Sequence, residues 1–127
     1  MFNRLANVHN HYQGNYKRVL CICSAGLLRS PTAAWVLSNA PYNFNTRAVG
    51  LDKEYALIPV DDALIEWADE ILTMNESQLK ILRAMFDLSG KPANSLGIPD
   101  SFEYRNPDLI ELIKQKYGEL HVEFRED

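Results

Sequence analysis

A cysteine followed five residues later by an arginine, and then by Ser-Pro, is the part of this sequence with the clearest chemical use. The run is Cys23-Ser24-Ala25-Gly26-Leu27-Leu28-Arg29-Ser30-Pro31. A tight loop of mostly small residues turns successive backbone N–H groups inward and forms a concave anion nest. Here Ser24, Ala25, Gly26, Leu27 and Leu28 supply those groups, and Gly26 takes a positive φ at no Cβ cost. Ser30 is a candidate N-cap with Pro31 at the first helical position, so a helix dipole adds its positive end at the same point. Arg29 offers a planar fork that holds two phosphate oxygens at once. A thiol in such a field reacts as the thiolate, so Cys23 can attack phosphorus at neutral pH without a separate base. Ser30 can donate a hydrogen bond to that thiolate and help it leave when a phosphocysteine is hydrolysed. The bland alternative is a core cysteine at a strand end beside a surface arginine. A bare Cys-x5-Arg is frequent by chance, and it is the strand–loop–helix setting, with Ser-Pro after the arginine, that favours chemistry.

The flanking text supplies that setting. Arg18–Cys23 (RVLCIC) is short, apolar and bounded by Ser-Ala-Gly, which predicts a buried strand. The helix opened at Ser30-Pro31 fades near Ser38–Pro41. Phe44–Val49, closed by Gly50, is a second strand. Asp61–Ala68 is a helix with Leu64, Ile65 and Trp67 on one side and Asp61 and Asp62 in the first turn, where the dipole favours anions. Glu70–Met74 is a third strand. Asn75 caps a helix over Glu76–Phe86, with Leu79, Leu82 and Met85 or Phe86 at helical spacing. Gly90, Pro92 and Gly97 punctuate a loop around a short fourth strand near Ser95–Ile98. Pro107-Asp108 opens a last helix, with Leu109, Ile110, Leu112 and Ile113 as its stripe, toward Tyr117. Strand–helix units repeated four times predict an α/β domain, a four-stranded parallel sheet with helices on both faces. In such sheets the ligand site lies beyond the carboxyl ends of the strands, which is where Cys23 falls.

Composition narrows the class. The 127 residues suit one domain. Residues 1–17, polar and rich in Asn, His and Tyr, read as a poorly ordered arm, and residues 18–127 as the domain. The net charge of −4 hides an asymmetry: no Asp or Glu precedes Asp52, and all 17 acids lie after residue 51. Five bases (Arg4, Lys17, Arg18, Arg29, Arg47) share the acid-free part with the Cys23 loop, which suits anion binding. With no Lys/Arg cluster and an acidic total, a nucleic-acid partner is weakly supported. No run is long enough to span a bilayer and no secretory h-region opens the chain, so a cytoplasmic protein without a membrane partner is expected. Cys21 and Cys23 make neither a disulfide framework nor a zinc site. His9 and His11 lack a third ligand nearby, and no metal or cofactor is expected.

At this point the chain resembles a family. VLCICSAGLLRSPTAA is similar to the active-site segment of the low-molecular-weight protein tyrosine phosphatases, Cys-x5-Arg-Ser-Pro after a first strand. ILTMNESQL (Ile71–Leu79) resembles that family's third strand and following helix start. IPDSFEYRNPDLIELI (Ile98–Ile113) resembles the late loop that holds its general acid, closest to a short branch with Ile-Pro-Asp there. The likeness covers most of residues 18–118. It implies a three-layer flavodoxin-like (phosphotyrosine protein phosphatase I-like) fold and phosphomonoester hydrolysis without a cofactor. Residue by residue it implies Cys23 as nucleophile, Arg29 as phosphate clamp, Ser30 as the supporting hydroxyl and Asp100 as general acid and base. Asp108 is the rival for that role, but its place after Pro107 suits a first-turn carboxylate. Implied partners are a phosphorylated protein or small phosphoester as substrate, with inorganic phosphate as product.

The departures are specific. Ala25-Gly26-Leu27-Leu28 stands where the family has Gly-Asn-x-Cys, and Gly26 can serve the positive-φ position of that Asn. Leu28 replaces a protective cysteine, and Cys21, about 6.6 Å from Cys23 between Cα atoms along a strand, is a poor substitute and reads as core packing. Asn75 replaces the Asp that usually begins the third helix. Asp100 is followed by Ser101 instead of Pro. Phe102, Tyr104 and Tyr55 are the aromatics placed to flank an aryl substrate, and the connection from Val49 to Val60 is short. These differences keep open a phosphate- or phosphopeptide-binding module with little turnover. Arsenate reduction is disfavoured, because thioredoxin-coupled relatives relay a disulfide through extra cysteines and only Cys21 is present.

Overall fold

The six residues of β1 (Arg18–Cys23) alternate between the two faces of a sheet, and each face carries one hydrophobic core. This computed structural model describes residues 17–23, 29–52, 58–88, 90–98 and 106–121, with only the backbone of Arg29 and Ser30. The further elements are α1 (Arg29–Ser38), β2 (Asn45–Gly50), α2 (Asp62–Trp67), β3 (Glu70–Thr73), α3 (Glu76–Met85), β4 (Ala93–Ser95) and α4 (Pro107–Leu120). The sheet runs β2-β1-β3-β4 with every pairing parallel. Val19, Cys21 and Cys23 join a core with Ala33, Ala34 and Leu37 of α1 and Leu109, Ile113 and Tyr117 of α4. Leu20 and Ile22 join a second core with Leu64 and Ile65 of α2 and Leu79 and Leu82 of α3. A strand covered on both faces must be apolar at every position, which is why RVLCIC carries no alternation of polarity.

The expected elements are all present, with shifted ends. α1 is already helical at Arg29, so Ser30 lies inside it and not at its cap. Pro31 still falls among the first residues, whose N–H groups have no intrahelical acceptor. β4 is the larger shift. It spans Ala93–Ser95 and not Ser95–Ile98, because the apolar Leu96 and Ile98 that suggested a strand follow it as buried residues. The ladder nevertheless continues, with Leu96 N–H donating to the Thr73 carbonyl (2.9 Å) and Ile98 N–H to that of Met74 (2.7 Å). Gly97 between them takes φ +69°, a conformation glycine adopts without strain. α2, only six residues long, needs help at both ends. Asp61 Oδ1 accepts from Leu64 N–H at 2.9 Å, and Lys91 Nζ donates to the carbonyls of Ile65 and Glu66 at 2.6 Å each.

At the amino end of the sheet, Glu70 is 1% exposed. Its carboxylate is bonded by Lys17 Nζ (2.9 Å), Tyr117 Oη (2.9 Å) and His121 Nε2 (2.6 Å). Lys17 also stands over the rings of Phe44 and Tyr117. Sequence reading assigned Lys17 to the arm, yet it is tied to the domain; the rest of the arm, 1–16, lies outside the described residues. Beside this cluster Arg18 grips Asp69 with Nε and Nη2, at 3.3 and 3.2 Å. That hydrogen bond holds the Asp69 carboxyl below its usual range. Its small stabilisation is therefore present above the unfolded carboxylate range and is lost as pH falls through the depressed folded value.

Arg47 of β2 is a different case. It is 3% exposed and lies over the Trp67 ring at 4.8 Å. Nη1 donates to Asn45 Oδ1 and to the Thr46 carbonyl, while Nε is buried with no acceptor. Burial pulls this guanidinium down to about 10, so below that pH the folded state carries an opposed charge. Two stability measurements follow. Glu70→Ala leaves Lys17 and Tyr117 without their acceptor, and should cost about 3 kcal/mol in urea unfolding. Arg47→Met removes a buried cation and keeps most of its volume, and should leave the midpoint unchanged or raise it; a loss above about 1 kcal/mol would show that the guanidinium stabilises the fold.

Candidate active site

In a sheet ordered β2-β1-β3-β4 the connections that follow β1 and β3 run in opposite directions, and the crevice at the carboxyl ends of those two strands is where ligands bind. Cys23 is the last residue of β1 and therefore stands at that crevice. Its backbone carbonyl accepts from Leu51 N–H at 2.9 Å, fixing it against the end of β2. On the other side Met74 N–H donates to the Ile22 carbonyl at 3.1 Å, so β3 ends alongside. Cys23 is 4% exposed and shares its core with Ala33 and Ala34 of α1. α1 starts six residues after Cys23 and packs back along β1, which turns its N-terminus toward the carboxyl edge. Cysteine, crevice and positive helix end thus coincide, the arrangement suited to an anion.

The structure brings Cys23 to this edge and begins α1 at Arg29 and Ser30, whose side chains are not described. Ser24, Ala25, Gly26, Leu27 and Leu28 lie outside the described residues, as do Asp100, Phe102, Tyr104 and Tyr55. The rival carboxylate is described. Asp108 sits exposed in the first turn of α4, where its N–H donates to Asn106 Oδ1 at 2.8 Å. Neither cysteine is part of a disulfide. Cys21 is fully buried, paired across the sheet with Ala48 and Leu72. Burial pushes its thiol well up, with the charges of Glu70 and Cys23 adding to the effect. It is core packing, in line with the sequence reading.

Asn75 is the cap expected from the sequence, but its partner Gln78 escaped that reading. Asn75 caps α3, its Oδ1 accepting from Gln78 N–H (2.9 Å) and Ser77 Oγ (2.8 Å). Gln78 replies with its own Oε1, which accepts from Asn75 N–H (3.1 Å) and Met74 N–H (2.9 Å). Thr73 Oγ1 donates to the Asn75 carbonyl at 2.9 Å. The turn from β3 into α3 is thereby pinned beside Cys23. The signal was present as Asn-x-x-Gln before an apolar stripe, a capping box.

No family model and no curated protein matches the sequence. Several solved structures match the fold. The tyrosine phosphatase Wzb from Escherichia coli K30, solved with phosphate, superposes with a TM-score of 0.64 at 19% identity, over 85% of this chain and 98% of that one. The YwlE arginine phosphatase from Geobacillus stearothermophilus gives 0.55 at 19% identity, over 85% and 88%. A thioredoxin-dependent arsenate reductase from Corynebacterium glutamicum gives 0.60 at 20% identity, over 95% and 68%. Among the described residues no helix is long and apolar enough to cross a membrane.

The two thiols should separate in a labelling experiment. With iodoacetamide at neutral pH, mass spectrometry should find Cys21 unmodified in the native chain and modified in denaturant; native labelling at the denatured rate would contradict its burial. The strand order, the parallel pairings and these superpositions agree: the chain has the flavodoxin-like fold of the low-molecular-weight protein tyrosine phosphatases.

Proposed function

We propose that the chain is a cysteine-dependent phosphomonoester hydrolase of the low-molecular-weight protein tyrosine phosphatase kind. The observation that carries this is Cys23 ending β1 at the β1/β3 crevice, with α1 beginning at Arg29 after a five-residue connection. In this reading the Cys23 thiolate attacks phosphorus, and the bond from phosphorus to the ester oxygen breaks. Asp100 protonates the departing oxygen. Asp100 then takes a proton from water, which attacks the phosphocysteine and releases phosphate and the thiolate. Arg29 clamps two phosphoryl oxygens, and the N–H groups of Ser24 to Leu28 receive the charge that builds on them. Ser30 supports the thiolate as leaving group. Phe102, Tyr104 and Tyr55 flank an aryl group. The substrate is a phosphorylated protein or small phosphoester, handled in the cytoplasm by the domain of residues 18–127 without a metal.

The neighbours include enzymes for phosphotyrosine, phosphoarginine and arsenate, so the fold alone does not choose the ester. Against arsenate reduction stands Cys21, the other cysteine of the sequence, which is sealed in the core and out of reach as a relay thiol. Para-nitrophenyl phosphate in chelator should be turned over by the wild-type chain, and Cys23→Ser should lose at least about a thousandfold in kcat/KM. Equal rates for the two would sink the reading; vanadate binding with no hydrolysis would move it to a phosphate-binding module. Asp100→Asn should slow aryl phosphate cleavage by about a hundredfold or more while vanadate affinity stays unchanged.

A further inference from the structure

The outer edge of β2 is closed to water, yet most of its length lacks a pairing strand among the described residues. The N–H groups of Asn45 and Leu51 donate to β1 residues or the residue before them. In the parallel ladder the odd residues of β2 therefore face β1 and the even ones face away. At the carboxyl end Gly50 is served on that outer side. Its N–H donates to the Ile58 carbonyl at 3.0 Å, and its own carbonyl accepts from Val60 N–H at 2.9 Å. Thr46 and Ala48 have no described strand beside them. Arg47 Nη1 meets the Thr46 carbonyl at 2.8 Å, which lays the guanidinium over the edge with Nε buried and without an acceptor. Thr46 is 0% exposed and Ala48 8%. A buried backbone N–H with no acceptor is rare in folded chains, because it forfeits its bond to water. Thr46 N–H, Ala48 N–H and Arg47 Nε thus call for carbonyls at one edge.

We propose that residues 1–16 supply them, lying along the outer edge of β2 as a fifth strand antiparallel to it. Thr46 is closed off within the single chain, which favours a segment of this chain over a second copy or a foreign peptide. Residues 53–57 are tied to the carboxyl end of β2 by the pairing at 58–60, whereas the arm enters at the other end. The Lys17 carbonyl accepts from Asn45 N–H at 2.9 Å, and the Lys17 amine is held by Glu70. The arm therefore meets β2 where the unpaired stretch begins. Its reach is roughly 50 Å when extended, against about 7 Å from Thr46 to Ala48. To follow the edge into Lys17 it must come from the carboxyl side, which sets the antiparallel direction. Gly14 and Asn15 fall where the chain would turn beneath β2. Before them Ala6, Val8 and Tyr12 alternate with Asn7, His9 and His11, an apolar and a polar side at strand spacing. The weak strand propensity that made the arm read as poorly ordered is offset where a ready ladder receives it. This pairing does not depend on the hydrolase reading.

Nuclear magnetic resonance of the full chain tests it. Cross-strand Overhauser contacts should join residues 1–16 to Thr46 and Ala48, and the amides of those two residues should exchange slowly with deuterium. Deleting residues 1–16 should speed their exchange by roughly tenfold or more, with the amides of β1 still protected. Val8→Pro and His9→Pro test the ladder in the full chain. Neighbouring residues of a strand face opposite edges, so one of the two prolines removes a bond to β2, and that variant should speed the same exchange. Equal exchange at Thr46 and Ala48 in the full chain and in all three variants would overturn the proposal. So would Overhauser contacts to Thr46 and Ala48 from residues 53–57, or from a second copy in a mixed-label sample that sediments as a dimer. Should the shortened chain fail to fold, the contacts and the proline variants of the full chain still decide.

Discussion

Burial of β1 on both faces is the constraint from which the rest of the molecule follows. A central strand with Val19, Cys21 and Cys23 on one side and Leu20 and Ile22 on the other requires two layers of helix. It requires a pairing strand at each edge as well, since a buried backbone must find hydrogen-bond partners. β2 and β3 supply them, and the strand order leaves β1 at the point where the connections part. The residue that ends such a strand cannot lie anywhere but the crevice. Cys23 gains its place from the alternation that buries Cys21, two residues earlier on the same face. One thiol becomes packing and the other is presented at the edge because one step of the pleat separates them from the end of the strand.

The two ends of the sheet are built on different terms. Among the described residues, the carboxyl edge is joined by backbone and amide hydrogen bonds: Leu51 to Cys23, Met74 to Ile22, and the mutual cap of Asn75 and Gln78. The amino edge concentrates charge, with Lys17, Arg18, Asp69 and Glu70 drawn into ion pairs. A buried carboxylate is tolerable where three donors meet it. Set near a nucleophilic thiol, the same carboxylate would oppose its ionisation. The −4 net charge says little about this, whereas the placement of the acids says much. The acid-free stretch of residues 1–51 covers all of β1, α1 and β2.

Much of this was legible from the residues. The apolar run of β1, the Pro31 helix start, the Asp61 and Asn75 caps and the stripe of α4 each rest on local chemistry that does not depend on the remainder of the fold. The apolar run closed by Ser-Ala-Gly put Cys23 at a strand end, where the structure has it. What escaped the reading depends on distant partners. Nothing around Glu70 in the chain tells that residues 17, 117 and 121 will meet it, and Lys17 looked like part of the arm for that reason. Arg47 resembled any strand-edge base, yet it is sealed against Trp67, twenty residues on. β4 was misplaced by two residues, since apolar content marked Leu96 and Ile98 while the pairing begins at the small and polar Ala93 and Asn94. Periodicity reports burial, and strand pairing is a separate property.

The Glu70 cluster also has a consequence for the order in which the domain can be completed. Glu70 enters the sheet with β3, but two of its three donors, Tyr117 and His121, belong to the last helix and its cap. During synthesis the central strands can pair while this carboxylate still needs water. Only when residue 121 has left the ribosome can the amino edge of the sheet close over it. The last turn of α4 therefore acts as a latch on a half-built sheet, and a nascent chain stopped short of it keeps a wet charge where the finished protein has a dry one.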